Sequence, residues 1–132
     1  MIAAGAQAPE RTIGPVTVSD FVRYAGASGD FNPMHFDVAK AHAAGFEEPF
    51  AQGMFSAGVL GSFAADWLGP DNVRSIAVRF MEIVRLGDTL TCEGRVTSVG
   101  ERDGERLAEV ELTCRRQTGA TAVRGSATFR VS

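Results

Sequence analysis

One stretch of the chain decides the fold: Gln52 to Trp67, which reads QGMFSAGVLGSFAADW. It predicts a single helix, because apolar residues occupy almost every position around the helical circumference and Gly69-Pro70-Asp71 follows as a stop signal. A helix that is apolar nearly all round is a buried helix, and its interleaved glycines and alanines allow other backbone to approach closely. We therefore expect a central helix that the rest of the chain encloses.

The residues after this helix predict a run of antiparallel strands, because apolar and polar positions alternate in four successive stretches. The apolar positions are Ile76, Val78 and Phe80; Leu90, Cys92, Gly94 and Val96; Ala108, Val110, Leu112 and Cys114; and Val123, Gly125, Ala127, Phe129 and Val131. Turn residues at Gly87-Asp88, Asp103-Gly104 and Thr118-Gly119 predict a meander. With an edge strand expected within Arg11 to Val16, the sequence predicts an α+β fold in which one antiparallel sheet curls around one helix.

The two cysteines test this arrangement. If Asp103-Gly104 closes a hairpin, the numbers of paired residues on its strands sum to about 206. This register places Cys92 opposite Cys114. Two cysteines are too few for a disulfide scaffold, so we predict two reduced thiols side by side on the core face of the sheet.

Composition excludes several classes of protein. The chain has 132 residues, of which 45% are hydrophobic, and a net charge of −3; we expect one domain over residues 1–132. The basic residues are scattered, which argues against nucleic acid or an anionic membrane as a partner. No leader segment opens the chain and no apolar stretch is long enough to span a bilayer, so we expect a cytoplasmic protein.

The segment before the central helix carries the chemistry. Asp30 follows Ser28-Gly29, and His35 follows Asn32-Pro33. Pro33 excludes one helix through both side chains, so loop geometry must position them. A carboxylate and an imidazole can share one water, and addition of that water to an activated double bond also needs a donor for the enolate-like oxygen. The backbone N–H of Gly53, at the start of the predicted helix, can supply that donor.

Several motifs of the chain resemble the signature of MaoC-like, hydratase 2 type enoyl-thioester hydratases. They are SGDFNPMHFD at Ser28 to Asp37, GFEEP at Gly45 to Pro49, QGM at Gln52 to Met54, VRF at Val78 to Phe80, and GD at Gly87-Asp88. The resemblance implies a hot-dog fold and an enzyme of fatty acid metabolism, a hydro-lyase. Its reaction would be the reversible (R)-specific hydration of trans-2-enoyl-CoA, or dehydration of (R)-3-hydroxyacyl thioesters. We predict no cofactor and no metal.

The resemblance also implies roles for single residues. Asp30 and His35 match the catalytic pair, and Gly53 matches the oxyanion donor. Substrate contacts are expected at Ser28, Asn32, Gln52 and Met54. The family usually has His where this chain has Gln52. The amide of Gln52 can replace one hydrogen bond of that imidazole. The expected partners are an acyl-CoA or acyl-carrier-protein substrate and a second hot-dog subunit, in a homodimer or a heteromer.

Three alternatives stay open from the sequence. The chain can be the catalytic subunit of a heteromeric 3-hydroxyacyl-carrier-protein dehydratase. It can be a hot-dog thioesterase, although such enzymes usually need Asp or Glu near the start of the central helix, where this chain reads Ala51-Gln52-Gly53. It can also be a non-catalytic acyl-binding subunit, although retention of both Asp30 and His35 disfavours this.

Other polar residues receive ordinary roles. We expect Asp37 to cap the short helix beginning at Val38, in preference to binding a metal with Asp30 and His35. We expect His42 to be a surface or packing residue. Arg79 and Arg85 are candidates to contact CoA phosphates, although an exposed arginine on a strand is ordinarily only solvated.

Overall fold

The structure is a computed structural model that describes all residues from 1 to 132. Its helices are α1 (Val18–Ser28), α2 (Val38–Ala43) and α3 (Gly53–Leu68). Its strands are β1 (Arg11–Ile13), β2 (Val73–Phe80), β3 (Leu90–Arg102), β4 (Glu105–Arg116) and β5 (Thr121–Arg130). Single 3₁₀ turns lie at Pro33–His35 and Pro70–Asn72. The helix and strand order follows the periodicity of the sequence.

The five strands form one antiparallel sheet in the order β1-β3-β4-β5-β2. The predicted meander is therefore right for β3, β4 and β5 but wrong for β2, which pairs with β5 at the far edge of the sheet. The segment predicted to turn β2 into β3 has other partners: Gly87 N–H donates to Val16 C=O, and Asp88 C=O accepts from Val16 N–H. Because these groups bind the segment before α1, residues 81–89 form a crossover instead of a hairpin.

The β3–β4 hairpin confirms the register expected from the sequence. Asp103 and Gly104 have φ angles of 52° and 79°, the left-handed conformations that a tight primed turn requires. Cys92 lies directly opposite Cys114, and both cysteines are free and buried. Hydrogen bonding of the two thiols to each other, together with burial, raises the pKa of Cys114.

Helix α3 packs on one face of the sheet, where it contacts β2, β3, β4 and β5. Leu60 and Phe63 are buried in this interface. Close approach depends on glycines of the sheet: a Cβ added at Gly94 would lie 3.0 Å from the Trp67 ring, and one added at Gly125 would lie 3.3 Å from Leu60. The core therefore has no space for larger side chains at these two positions.

One side of α3 is not covered by its own chain, although the sheet packs on the other side as the sequence predicts. Met54 and Ser62 of α3 are exposed, and so are Ile76 and Phe80 of the edge strand β2. The sheet leaves this side open because β2 is its last strand. With 16 residues, α3 is the longest helix, and none of the helices is long and apolar enough to cross a membrane.

Candidate active site

The end of α1 fixes the position of Asp30. The helix ends at Gly29, whose φ of 78° is left-handed, as is common for a residue that ends a helix. The Ser28 hydroxyl donates to Tyr24 C=O at 2.8 Å and accepts from Asp30 N–H at 3.1 Å. Ser28 is thus occupied by the turn itself, and it holds the backbone of Asp30 against the end of the helix.

The next residues form a chain of side-chain-to-backbone turns. Asp30 Oδ1 accepts from Asn32 N–H at 3.3 Å, and Asn32 Oδ1 accepts from Met34 N–H at 3.2 Å. Asn32 thereby caps the 3₁₀ turn that contains His35. These contacts use one oxygen of the Asp30 carboxylate within the loop and leave Oδ2 for a different contact.

Asp30 Oδ2 lies 3.8 Å from His35 Nε2. On the other side of the ring, His35 Nδ1 lies 2.8 Å from Phe50 C=O. Because a carbonyl oxygen only accepts, Nδ1 must carry the hydrogen, and the neutral ring then has its lone pair on Nε2, facing the carboxylate. The Phe50 ring packs edge-on against the imidazole, with centroids 5.0 Å apart.

Exposure differs sharply within this pair. The His35 side chain is 9% exposed, whereas that of Asp30 is 46% exposed. The imidazole is therefore largely enclosed by the protein, while the carboxylate contacts solvent. A distance of 3.8 Å is too long for a direct hydrogen bond, but it suits two acceptors that share one water.

Gly53 is the first residue of α3, so its N–H has no acceptor within the helix. No other group of the protein accepts from it. The Phe80 ring lies against Gly53, where an added Cβ would be 3.4 Å from the ring. Met54, the next residue, is exposed. The start of α3 thus combines an unused donor with an apolar surface, three residues after the carbonyl that holds His35.

Gln52 lies in the interior, not on the surface of the site. Its side chain is 1% exposed, and its Nε2 donates to Phe21 C=O of α1 at 2.9 Å. Its Oε1 is buried without a hydrogen-bond partner. Gln52 thus connects α1 to the start of α3, and its expected contact with substrate stays a prediction. Among the other expected contacts, Ser28 and Asn32 are engaged in the loop, and Met54 is free.

Two of the ordinary roles expected from the sequence are confirmed. Asp37 caps α2 by accepting from Lys40 N–H at 3.2 Å. His42 is exposed, with its Nε2 2.6 Å from Glu47 C=O. The group that sequence analysis missed is the Phe50 carbonyl, which determines the tautomer of His35. A main-chain acceptor has no signature of its own in the sequence.

The larger depressions of the surface lie elsewhere. One of about 510 Å³ is on the outer face of the sheet and is lined by both Arg79 and Arg124. A small cavity of about 20 Å³, lined by Phe46, Phe50 and Arg85, lies beside the carbonyl that holds His35. In the single chain, the candidate site is therefore an open surface next to Asp30, without a deep cleft of its own.

Structural comparison identifies the fold as that of hot-dog proteins, which confirms the predicted fold class. The chain superimposes on a chain of the ChsH1-ChsH2 complex from Mycobacterium tuberculosis with a TM-score of 0.87 and 28% identity, over 100% of both chains. It superimposes on the (R)-hydratase of A. caviae involved in PHA biosynthesis with a TM-score of 0.85 and 28% identity, over 99% of this chain and 98% of the other.

Sequence comparison defines the family more closely. The MaoC like domain model matches residues 3–119, and the chain belongs to this family. The (R)-specific enoyl-CoA hydratase of Aeromonas caviae is 30% identical over 115 residues, which are 86% of this chain and 84% of the relative. The peroxisomal hydratase-dehydrogenase-epimerase of Neurospora crassa is 29% identical over 122 residues, but the match covers only 12% of that protein. The resemblance seen in the sequence motifs is confirmed.

Proposed function

We propose that this protein catalyses the reversible, (R)-specific hydration of trans-2-enoyl-CoA to 3-hydroxyacyl-CoA, with Asp30 and His35 activating one water. The observation that carries the proposal is the 3.8 Å approach of Asp30 Oδ2 and His35 Nε2. Both atoms are acceptors once Phe50 C=O has fixed the hydrogen on Nδ1. A water between them donates one O–H to each in hydrogen bonds of roughly 2.8 Å, so its oxygen lone pairs are left to attack.

Asp30 and His35 then transfer protons and are regenerated at the end of each cycle. The pair takes a proton from the water as the water oxygen adds to C3 of the enoyl group, and it returns a proton to C2. At the end of the cycle both side chains have their original protonation states. The reverse sequence removes water from the 3-hydroxyacyl thioester through the same groups.

The negative charge that develops on the thioester oxygen needs a donor, which we assign to Gly53 N–H. This group is unpaired and lies at the positive end of the α3 dipole. Loss of one such donor costs about 3 kcal/mol of transition-state stabilisation in other enzymes. The exposed apolar surface of Met54 and Phe80 beside it suits the acyl chain or a second subunit.

The experiment follows the enone absorbance of crotonyl-CoA and longer enoyl-CoA substrates with wild-type protein, Asp30→Asn and His35→Ala. His42→Ala is the matched control, because it removes the other histidine of the chain from an exposed position. We expect kcat to fall about 100-fold or more in both site variants and to stay unchanged in the control. Chiral chromatography should show an (R) product.

Two results contradict the proposal. If both site variants remain folded and retain wild-type turnover, Asp30 and His35 do not activate the water. If free thiol is released during turnover, the protein is a thioesterase.

We further propose that a second hot-dog subunit covers the open side of α3 and the β2 edge. An edge strand with exposed Ile76 and Phe80 presents unpaired backbone groups and apolar area that a partner strand can bury. The partner can be a second copy, or a different subunit as in a heteromeric dehydratase. Light scattering of the purified chain is expected to give a dimer; a monomer that becomes active only with a co-expressed subunit would indicate the heteromer.

A further inference from the structure

A buried carboxylate, Asp88, is connected to the candidate site by hydrogen bonds and is not used in the proposed reaction. Asp88 is only 2% exposed. It accepts from Arg116 Nε at 2.7 Å and Nη2 at 3.2 Å, from Gln117 Nε2 at 2.8 Å, and from Arg85 N–H at 2.8 Å. Burial opposes ionisation, but these hydrogen bonds outweigh it and hold the pKa of Asp88 below its usual value. The carboxylate is therefore charged at neutral pH.

A continuous row of hydrogen bonds leads from this carboxylate to His35. Arg85 N–H donates to Asp88 Oδ2, and the same peptide group contributes the Val84 carbonyl, which accepts from Ala51 N–H at 2.9 Å. Ala51 N–H belongs to the same peptide group as the Phe50 carbonyl. That carbonyl accepts from His35 Nδ1 at 2.8 Å. Two planar peptide groups thus connect the two side chains.

Every hydrogen bond in this row points the same way, with the donor on the His35 side and the acceptor on the Asp88 side. Hydrogen bonds aligned in this manner polarise one another, and the effect is larger where water is excluded. Val84 and Ala51 are both buried, so the row is shielded from solvent. The negative charge at its end makes Phe50 C=O a better acceptor and therefore favours hydrogen on Nδ1.

We infer that Asp88 is a positioning residue for His35, which acts through the Val84-Arg85 and Phe50-Ala51 peptide groups to orient the imidazole and to fix its tautomer. The role resembles that of a carboxylate behind a metal-bound or catalytic histidine, with two backbone peptides inserted between the partners. Its catalytic consequence rests on the proposed function; its effect on the ring does not. Arg116 neutralises part of the Asp88 charge, so we expect a partial shift of the tautomer and not a complete one.

The test uses the fact that the chain has two histidines. In protein labelled with ¹⁵N-histidine and carrying His42→Gln, all imidazole signals come from His35, and their shifts report the tautomer directly. Asp88→Asn keeps an acceptor for Arg85 N–H but removes the charge. We expect an Nδ1-protonated ring in the parent, and in the Asp88→Asn variant a mixed tautomer with faster exchange of the Nδ1 proton.

The matched control is Glu105→Gln, which removes the charge from a different carboxylate that Arg74 holds at 2.7 and 2.9 Å. This pair joins β4 to the start of β2 and has no hydrogen bond to the Phe50 or Val84 peptide groups, so the His35 signals should not change. If Asp88→Asn does not fold, Arg116→Lys is the milder variant, because it keeps the positive charge but loses the two-point contact that orients the Asp88 carboxylate toward Arg85 N–H. We expect a smaller change of the His35 signals in the same direction. Unchanged His35 signals in a folded Asp88→Asn protein, or in Arg116→Lys where only that variant folds, overturn the inference.

Kinetics provide the second readout. We expect kcat to fall roughly 10-fold in Asp88→Asn with KM little changed, since outer-shell partners of this kind typically contribute 10-fold to 100-fold. Glu105→Gln should keep the parent kcat at the same temperature. If the wild-type protein shows no hydration at all, the proposed function fails, while the ¹⁵N spectra still decide whether Asp88 controls the ring.

Discussion

Replacement of Gly94 by alanine tests the close packing of α3 on the sheet. The new methyl carbon would lie 3.0 Å from Trp67 Cζ3, 3.1 Å from Leu112 Cδ2 and 3.3 Å from Phe63 Cε2. These distances are shorter than normal carbon contacts of about 3.5–4.0 Å, and three side chains from two elements would have to move together. The substitution therefore overfills the core at the point where helix and sheet are closest.

The expected cost follows from two opposing effects. Overpacking of a well-filled core costs about 1–3 kcal/mol, whereas replacing glycine restricts the unfolded chain and returns about 0.4–1 kcal/mol. We expect the free energy of unfolding to fall by about 1–2 kcal/mol, and Tm to fall by roughly 4–8 °C. Gly100→Ala is the control on the same strand, because an added Cβ there meets nothing within 4 Å.

Urea unfolding monitored by fluorescence is the suitable assay. Trp67 is the single tryptophan of the chain and is one of the residues that the methyl would displace. Protein concentration must be equal for all variants, because association changes apparent stability. A Gly94→Ala protein as stable as Gly100→Ala, with unchanged emission, would refute the packing described here.

Three further predictions concern the site and the core. Gly53→Pro removes the N–H at a helix position that favours proline, and Gln52 before it already has a compatible ψ of 141°. We expect kcat to fall about 100-fold or more relative to Gly53→Ala, which keeps the N–H. Equal rates for the two variants would exclude Gly53 as the oxyanion donor. The lowered pKa of Asp88 means that its contribution to stability is present above the unfolded value of about 3.9 and is lost as pH falls through the folded value. Thermal unfolding between neutral and acidic pH should therefore show a smaller acid-induced drop for Asp88→Asn than for wild type, and parallel curves would contradict this sign. The buried thiols of Cys92 and Cys114 should react with a disulfide reagent only on unfolding, and together; rapid labelling of the native protein would show that the core is open.

Local signals allowed much of the fold to be predicted from sequence. Gly69-Pro70 determined the end of α3, and Asp103-Gly104 determined the turn whose register sets Cys92 against Cys114. The position of β2 could not be predicted in the same way. Its pairing with β5 spans a large separation in sequence, and the alternation within β2 is equally compatible with β3 as a neighbour.

The candidate site was predictable only as far as side chains define it. The motif around Asp30 and His35 led to two side chains that the structure brings within 3.8 Å. The groups that orient His35 could not be found, since Phe50 C=O and its link to Val84 belong to the backbone and depend on tertiary contacts. The interior position of Gln52 was also missed, because a residue next to a motif glycine gives no indication of which way its side chain points.

The Phe50 carbonyl and the Gly53 amide have an evolutionary consequence, because both belong to the main chain. A codon change at Phe50 alters the ring but leaves a carbonyl in place, and at Gly53 only proline would delete the hydrogen. Natural selection can therefore vary many side chains around His35 while the groups that hold it and the proposed donor persist. Related proteins with very different side chains can therefore share this carbonyl and this amide, provided that the path of the backbone through these two positions is preserved.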